Sequence, residues 1–131
     1  MENRKNIETL EDVKLLVDSF YSKVRKDKLL GPVFDDVIQD RWPQHLEKMY
    51  TFWQTVLLQE HTYQGSPFVP HANLPVDAEH FNKWLELFFE TIDEHFEGEV
   101  SRDAKWRANK MAQMFHMKIE HYQENPQKTA I

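Results

Sequence analysis

The stretch DAEHFNKWLELFFETIDEHFEG, residues 77–98, decides the fold class. Phe81, Trp84, Leu85, Phe88, Ile92 and Phe96 recur at spacings of three and four, the spacing that lines one face of a helix with apolar side chains. Asp77 is suited to cap the start and Gly98 to stop the end. Working outward, a last helix is expected from about Ser101 to Tyr122, with Ala104, Ala108, Met111, Phe115, Ile119 and Tyr122 facing inward. On the other side, Pro43 opens a helix that runs to about Leu58 and carries His45, Met49, Phe52, Trp53 and Val56 on one face. A first helix starts at Thr9, where Asp12 completes a capping box, and ends before Gly31-Pro32. Its stripe is Val13, Val17, Phe20 and Val24, with Leu16 and Tyr21 beside it. All three glycines and six prolines fall between these segments or in their first turns, and no β-alternation competes, so the class is all-α.

With 131 residues and a hydrophobic fraction of 40%, the chain suits one domain, expected over residues 8–123, with flexible ends at 1–7 and 124–131. Twenty-two acidic against sixteen basic residues give a net charge of −6, which argues against nucleic acid as a partner and favours a basic patch on any protein partner. The absence of cysteine excludes disulfides, thiolate metal sites and a cysteine nucleophile. No segment resembles a signal peptide or reaches the about 20 apolar residues that cross a bilayer, so a soluble, cytoplasmic protein without a membrane partner is expected. Nine Phe, four Trp, four Tyr and five Met are many for so small a chain. They make an ordinary core, or they wrap something flat and apolar.

Seven histidines invite a metal reading, but no two are three or four residues apart and no Glu-x-x-His occurs, which removes the zinc-protease and di-iron bundle patterns. His116 and Glu120 read as a solvated surface pair. His71 differs in its setting. It lies in an irregular stretch, residues 59–76, on a short turn bracketed by Pro70 and Pro75. A pinned turn presents one imidazole rigidly, as the proximal side of a haem iron requires; an ordinary loop histidine is the alternative. Tyr21, His45 and Trp84 each bring a hydrogen-bond donor to an apolar stripe. Unsatisfied, such groups cost about 1–3 kcal/mol each. A bound ligand with partial negative charge would accept from them, or else Tyr21 and Trp84 reach water and His45 meets a backbone carbonyl.

The run Phe20-Tyr21 to Gly31-Pro32-Val33-Phe34, then Trp42 and His45, Phe52-Trp53, Tyr63-Gln64-Gly65-Ser66-Pro67, His71, and His80-Phe81-Asn82-Lys83-Trp84-Leu85 resembles the truncated haemoglobins of group III. The resemblance spans about residues 8 to 122, and order and separation carry it more than any single piece. The paired-glycine motifs usual in groups I and II do not occur, and Tyr-x-Gly-x-Pro together with His45 favours group III.

The resemblance implies a truncated globin, a two-over-two helical sandwich around haem b, with the proximal helix reduced to a turn. It assigns His71 as the proximal iron ligand, and Tyr21, His45 and Trp84 as the distal residues that stabilise a bound ligand. Phe34, Met49, Phe52, Trp53, Tyr63, Phe68 and Phe81 are expected to contact the cofactor, and Arg41, Lys48 and Tyr63 are candidates to meet its carboxylates. It also implies a five-coordinate ferrous haem that binds dioxygen, carbon monoxide or nitric oxide, and a monomer. A donor-rich pocket suits redox chemistry on dioxygen, nitric oxide or peroxide, of a peroxidase-like or nitric oxide dioxygenase-like kind, more than bulk oxygen transport. Such turnover requires a separate reductase or small electron donor, since the chain has no room for a flavin domain. A reversible ligand carrier or sensor, and a haem-free helical interaction module, are the alternatives.

Overall fold

Thr9 opens the first helix through a complete capping box: its hydroxyl oxygen accepts from the Asp12 backbone N–H at 3.2 Å, and the Asp12 carboxylate accepts from the Thr9 N–H at 3.1 Å. The computed structural model describes residues 4–63, 71 and 74–124. Among them the helices are α1 (Leu10–Lys26), α2 (Leu30–Ile38), α3 (Trp42–Leu58), α4 (Ala78–His95) and α5 (Glu99–Glu124). The all-α expectation holds, and α3, α4 and α5 fall where the apolar spacing puts them. Asp77 caps α4, accepting from the Glu79 N–H at 3.0 Å, while His80 Nδ1 accepts from the Asp77 N–H at 3.2 Å.

The first helix ends earlier than the sequence suggests. After Lys26 the backbone turns extended at Asp27, whose carboxylate accepts from the N–H groups of Leu29 and Leu30 at 3.0 and 2.9 Å. That starts a separate helix, and Gly31-Pro32 lies in its first turn instead of marking a stop. Proline fits there because its missing N–H would have had no partner in the helix. Gly31 is required for a different reason: a Cβ on it would lie 2.7 Å from the backbone oxygen of Arg25.

α1 lies against α3 in one layer and α4 against α5 in the other, and the layers meet chiefly where α1 crosses α4. Phe88 sits at that crossing, 1% exposed. It stacks on Trp84 at 5.4 Å and on Trp53 of α3 at 5.0 Å, and it meets Phe20 of α1 edge-on at 5.1 Å. Such pairs add about 0.5–1.5 kcal/mol each beyond the area they bury. Lys23 clamps the same crossing at the surface, donating to Glu90 at 3.2 Å and Glu94 at 2.7 Å.

Residues 4–7, expected to be flexible, are instead tied down. Lys5 bridges Phe96, and its carbonyl accepts from the Glu97 N–H at 2.9 Å. Asn6 Oδ1 accepts from the Ser101 N–H at 3.2 Å, and Ile7 is fully buried. The sequence misses this strap because its partners lie on the α4–α5 corner, far along the chain. At the other end α5 runs to Glu124, and residues 125–131 lie outside the described residues.

Replacing Gly31 by alanine should destabilise the protein by about 1–3 kcal/mol, since the backbone of α1 must move to admit the methyl group. Urea unfolding at equilibrium checks this; the midpoint should fall with the slope unchanged.

Candidate functional site

Phe20 enters the aromatic crossing, whereas its neighbour Tyr21 directs its ring toward α2 and α3. There it meets His45 at 5.2 Å, Trp42 at 5.8 Å and Phe34 at 6.0 Å, all near edge-on. Trp42 holds this corner. Its indole donates to Asp35 Oδ1 at 3.0 Å, the Arg25 guanidinium lies over its ring at 4.4 Å, and its ring stands perpendicular to that of His45 at 5.6 Å. Tyr21 and His45 are thus fixed against each other by α1, α2 and α3 together. Trp84 comes from α4, wedged against Phe20 at 5.3 Å.

These side chains border a cavity of about 400 Å³ enclosed by α1 to α5, a size within the usual range for small-ligand sites. Tyr21, His45 and Trp84 all line it, and so does His71. The His71 ring packs on Phe115 of α5 at 4.9 Å. Phe34, Met49, Phe52, Trp53 and Phe81 also form its walls. Tyr63 joins them because the Thr55 hydroxyl accepts from its N–H at 3.0 Å and its ring meets Phe52 at 5.3 Å. Phe68 lies outside the described residues, as do the residues flanking His71. Arg41 and Lys48, both exposed, stand on the rim; the Arg41 guanidinium donates to the carbonyls of Val37 and Ile38 at 2.5 and 3.3 Å.

The sequence reading misses part of the wall. Leu30, Val37 and Ile38 come from α2, which the Gly31-Pro32 break hides, and Leu74 and Val76 come from the irregular stretch. Met111, Phe115 and Ile119 sit on the stripe that the sequence turns inward; they pack in the core and also line the cavity. His80 lines the cavity too; its Asp-x-x-His spacing with Asp77 is the signal that places it.

The polar groups of this apolar enclosure are largely unpaired. Among the described residues, His45 Nε2 is fully buried with no hydrogen-bond partner. The only other such atom among the described residues, His116 Nε2, lies 3.2 Å from a Glu120 carboxylate oxygen; this pair is not the solvated one expected from sequence, because the His116 ring stacks on Phe81 at 5.1 Å. The Tyr21 hydroxyl and the Trp84 indole N–H likewise find no partner among the described residues. Burial pushes the Tyr21 hydroxyl far above its ordinary pKa, so it stays a donor at every physiological pH. Burial first, and then positive charge on His71 and Lys48, lower the His45 pKa to about 4, so its imidazole is neutral near pH 7. The enclosure therefore offers O–H and N–H donors to an acceptor that the protein itself does not supply. Its remaining wall is suited to a flat apolar body.

Residues 5–120 match the bacterial-like globin family. A group 3 truncated haemoglobin of Campylobacter jejuni is 36% identical over 116 residues, covering 86% of this chain and 91% of that protein. A crystal structure of group III truncated haemoglobin from Campylobacter jejuni superposes with a TM-score of 0.81 at 34% identity, covering 89% of this chain and 95% of that one.

Because His45 is protonated readily in the unfolded chain, near pH 6.5, but only near 4 in the folded one, falling pH favours unfolding. Its contribution is intact above about pH 6.5 and is lost as pH drops toward 4. In urea titrations of the ligand-free protein at pH 7 and 4.5, His45→Gln should lose less stability between the two pH values than the wild type. Equal losses would contradict the assignment.

Proposed function

The chain belongs to the bacterial-like globin family, more narrowly resembling its group III truncated members, and from this we infer that it binds haem and, through haem, small diatomic ligands. We propose that the cavity of about 400 Å³ holds haem b, with His71 as the iron ligand. The fit of the residues supports this: an aromatic-lined slot, a histidine at position 71 that lines it, and basic side chains at the rim for the two carboxylates. Lys48, for which no carboxylate partner exists among the described residues, and Arg41 are suited to that role. When bound, haem supplies an iron with one open position for dioxygen, carbon monoxide or nitric oxide, and a redox couple.

The observation that carries the functional reading is the set of three donors without acceptors. Tyr21 O–H and Trp84 N–H hold a partially negative ligand in place, since the protein offers them no acceptor of its own. His45, neutral at pH 7, donates from one ring nitrogen and accepts at the other, so it can pass a proton as well as hold a ligand. Trp42 positions both Tyr21 and His45, which limits how far either ring turns. Phe52, Trp53 and Phe81 exclude water from the slot.

Strong retention of a ligand suits turnover more than release. We therefore read the protein as a redox haem protein acting on dioxygen, nitric oxide or peroxide, taking electrons from a separate donor and working as a cytoplasmic monomer of one domain. No helix among the described residues is long and apolar enough to cross a membrane.

Each charge-assisted hydrogen bond is worth about 1.5–3 kcal/mol, so Tyr21→Phe and Trp84→Phe should each speed dioxygen dissociation about ten- to a hundredfold, read by stopped flow. Unchanged rates in both would overturn the donor assignment. Absorption spectra of the haem-loaded protein, ferric, ferrous and with carbon monoxide, test the ligand. Wild type should show a five-coordinate ferrous haem that converts with carbon monoxide, and His71→Ala should lose that signature.

A further inference from the structure

α5 has a second face that the haem reading does not use. Trp106, Met114 and Met117 stand out from it at 58, 41 and 67% exposure, a concentration of large apolar side chains that soluble surfaces seldom carry without a partner. Trp106 and Met114 border a groove of about 290 Å³ between α5 and α3. The floor of this groove is formed by Phe52, Trp53 and Met111, which also wall the main cavity. A single layer of side chains thus separates the groove from the haem site.

The charge around the groove has the opposite sign to that of the whole chain. Residues 102–118 contain five of the sixteen basic residues and one of the twenty-two acidic ones. That one, Asp103, is engaged by Arg107 at 2.8 Å. Lys110 lies 5.7 Å from the Trp106 ring centre, and among the described residues neither it nor the exposed Arg102 pairs with a carboxylate. Helical spacing puts Arg102, Trp106 and Lys110 on one line along α5. A net charge of −6 leads the sequence to expect a basic partner, whereas this face is basic itself.

We propose that the Trp106 face of α5 is the docking surface for a small acidic electron-carrier protein, an inference that rests on reading the adjoining cavity as the haem site. Aromatic, methionine and arginine side chains form the centre of such an interface, and the unpaired cations steer a carboxylate-ringed partner to it. The groove brings the partner's redox group against the far side of the Phe52, Trp53 and Met111 wall. With haem bound, each encounter would pass one electron: the carrier would be oxidised by one electron and the iron reduced by one, with no bond made or broken.

The test uses the haem-loaded protein and a reduced, acidic plant-type ferredoxin as the probe. In NMR titration the Trp106 indole N–H signal, assigned with Trp106→Phe, should shift, and Arg102→Glu with Lys110→Glu should weaken binding at least tenfold. In stopped flow the same double variant should be reduced by ferredoxin at least tenfold more slowly, and the wild-type rate should fall with added salt. Reduction by dithionite should be equal in both proteins. Equal ferredoxin binding in wild type and variant, or shifts centred away from Trp106, would overturn the proposal. So would a Trp106 signal that moves with protein concentration alone, which would assign the face to a second copy of the chain. The NMR titration reads docking whether or not haem is held, so failure of the haem reading shows as a missing haem absorption band and failure of docking as an unmoved Trp106 signal.

Discussion

The packing of Phe88 is the constraint from which the rest of the architecture follows. Its ring lies between Trp84 and Trp53 and takes Phe20 on its edge, so one residue of α4 fixes where α1 and α3 cross it. Tyr21 follows Phe20 in the chain, and a helix turns successive side chains by about 100°. Once Phe20 is committed to the crossing, Tyr21 has to emerge on the adjacent side, toward the cavity. Trp84 is bound by the same logic, being one turn before Phe88 and stacked on it. The donors of the site are therefore placed by hydrophobic contacts, and no polar network is needed to hold them.

That economy explains why the donors of the site stay unpaired. A polar network around Tyr21 and His45 would satisfy them and remove their capacity for a ligand. The protein surrounds them with rings instead: Phe34, Trp42 and the edge of Phe20 around Tyr21, and Trp42 beside His45. Trp42 hands its own indole N–H to Asp35 on the outer side, so it contributes stiffness to the pocket without competing for what enters. The lowered pKa of His45 and the raised one of Tyr21 are the electrostatic record of the same desolvation.

Much of this was legible in the sequence. The apolar spacing of α4 and its Asp77 cap and the face of α3 headed by His45 follow from local rules, and the order of motifs resembled one family over most of the chain. What was not legible depended on contacts between distant segments. Gly31-Pro32 reads as a stop by local rules, and only the carboxylate of Asp27 turning back on Leu29 and Leu30 makes it a start. Three of the four wall residues of α2, Leu30, Val37 and Ile38, were lost with it, and only Phe34 was found. Lack of partners for Tyr21, His45 and Trp84 is likewise a property of the assembled interior, since each residue alone could have reached water or a carbonyl. The sidedness of charge on α5 was hidden beneath a net figure that averages over the whole surface.

The strap formed by residues 4–7 ties the beginning of the chain to its last two helices, through an Asn6 to Ser101 hydrogen bond that spans 95 positions. Most of the other helix contacts join α1 to α2 and α3, or α4 to α5, and these need only short stretches of chain to close. On a ribosome the first layer can assemble early, but Ile7 has no finished pocket, and Lys5 no Phe96 to pair with, until the α4–α5 corner has emerged. Residues 4–7 are made before the corner that seats them. The strap thereby acts as a closure that registers completion of the helical body, and until it closes the corner beside Gly98 remains open to water.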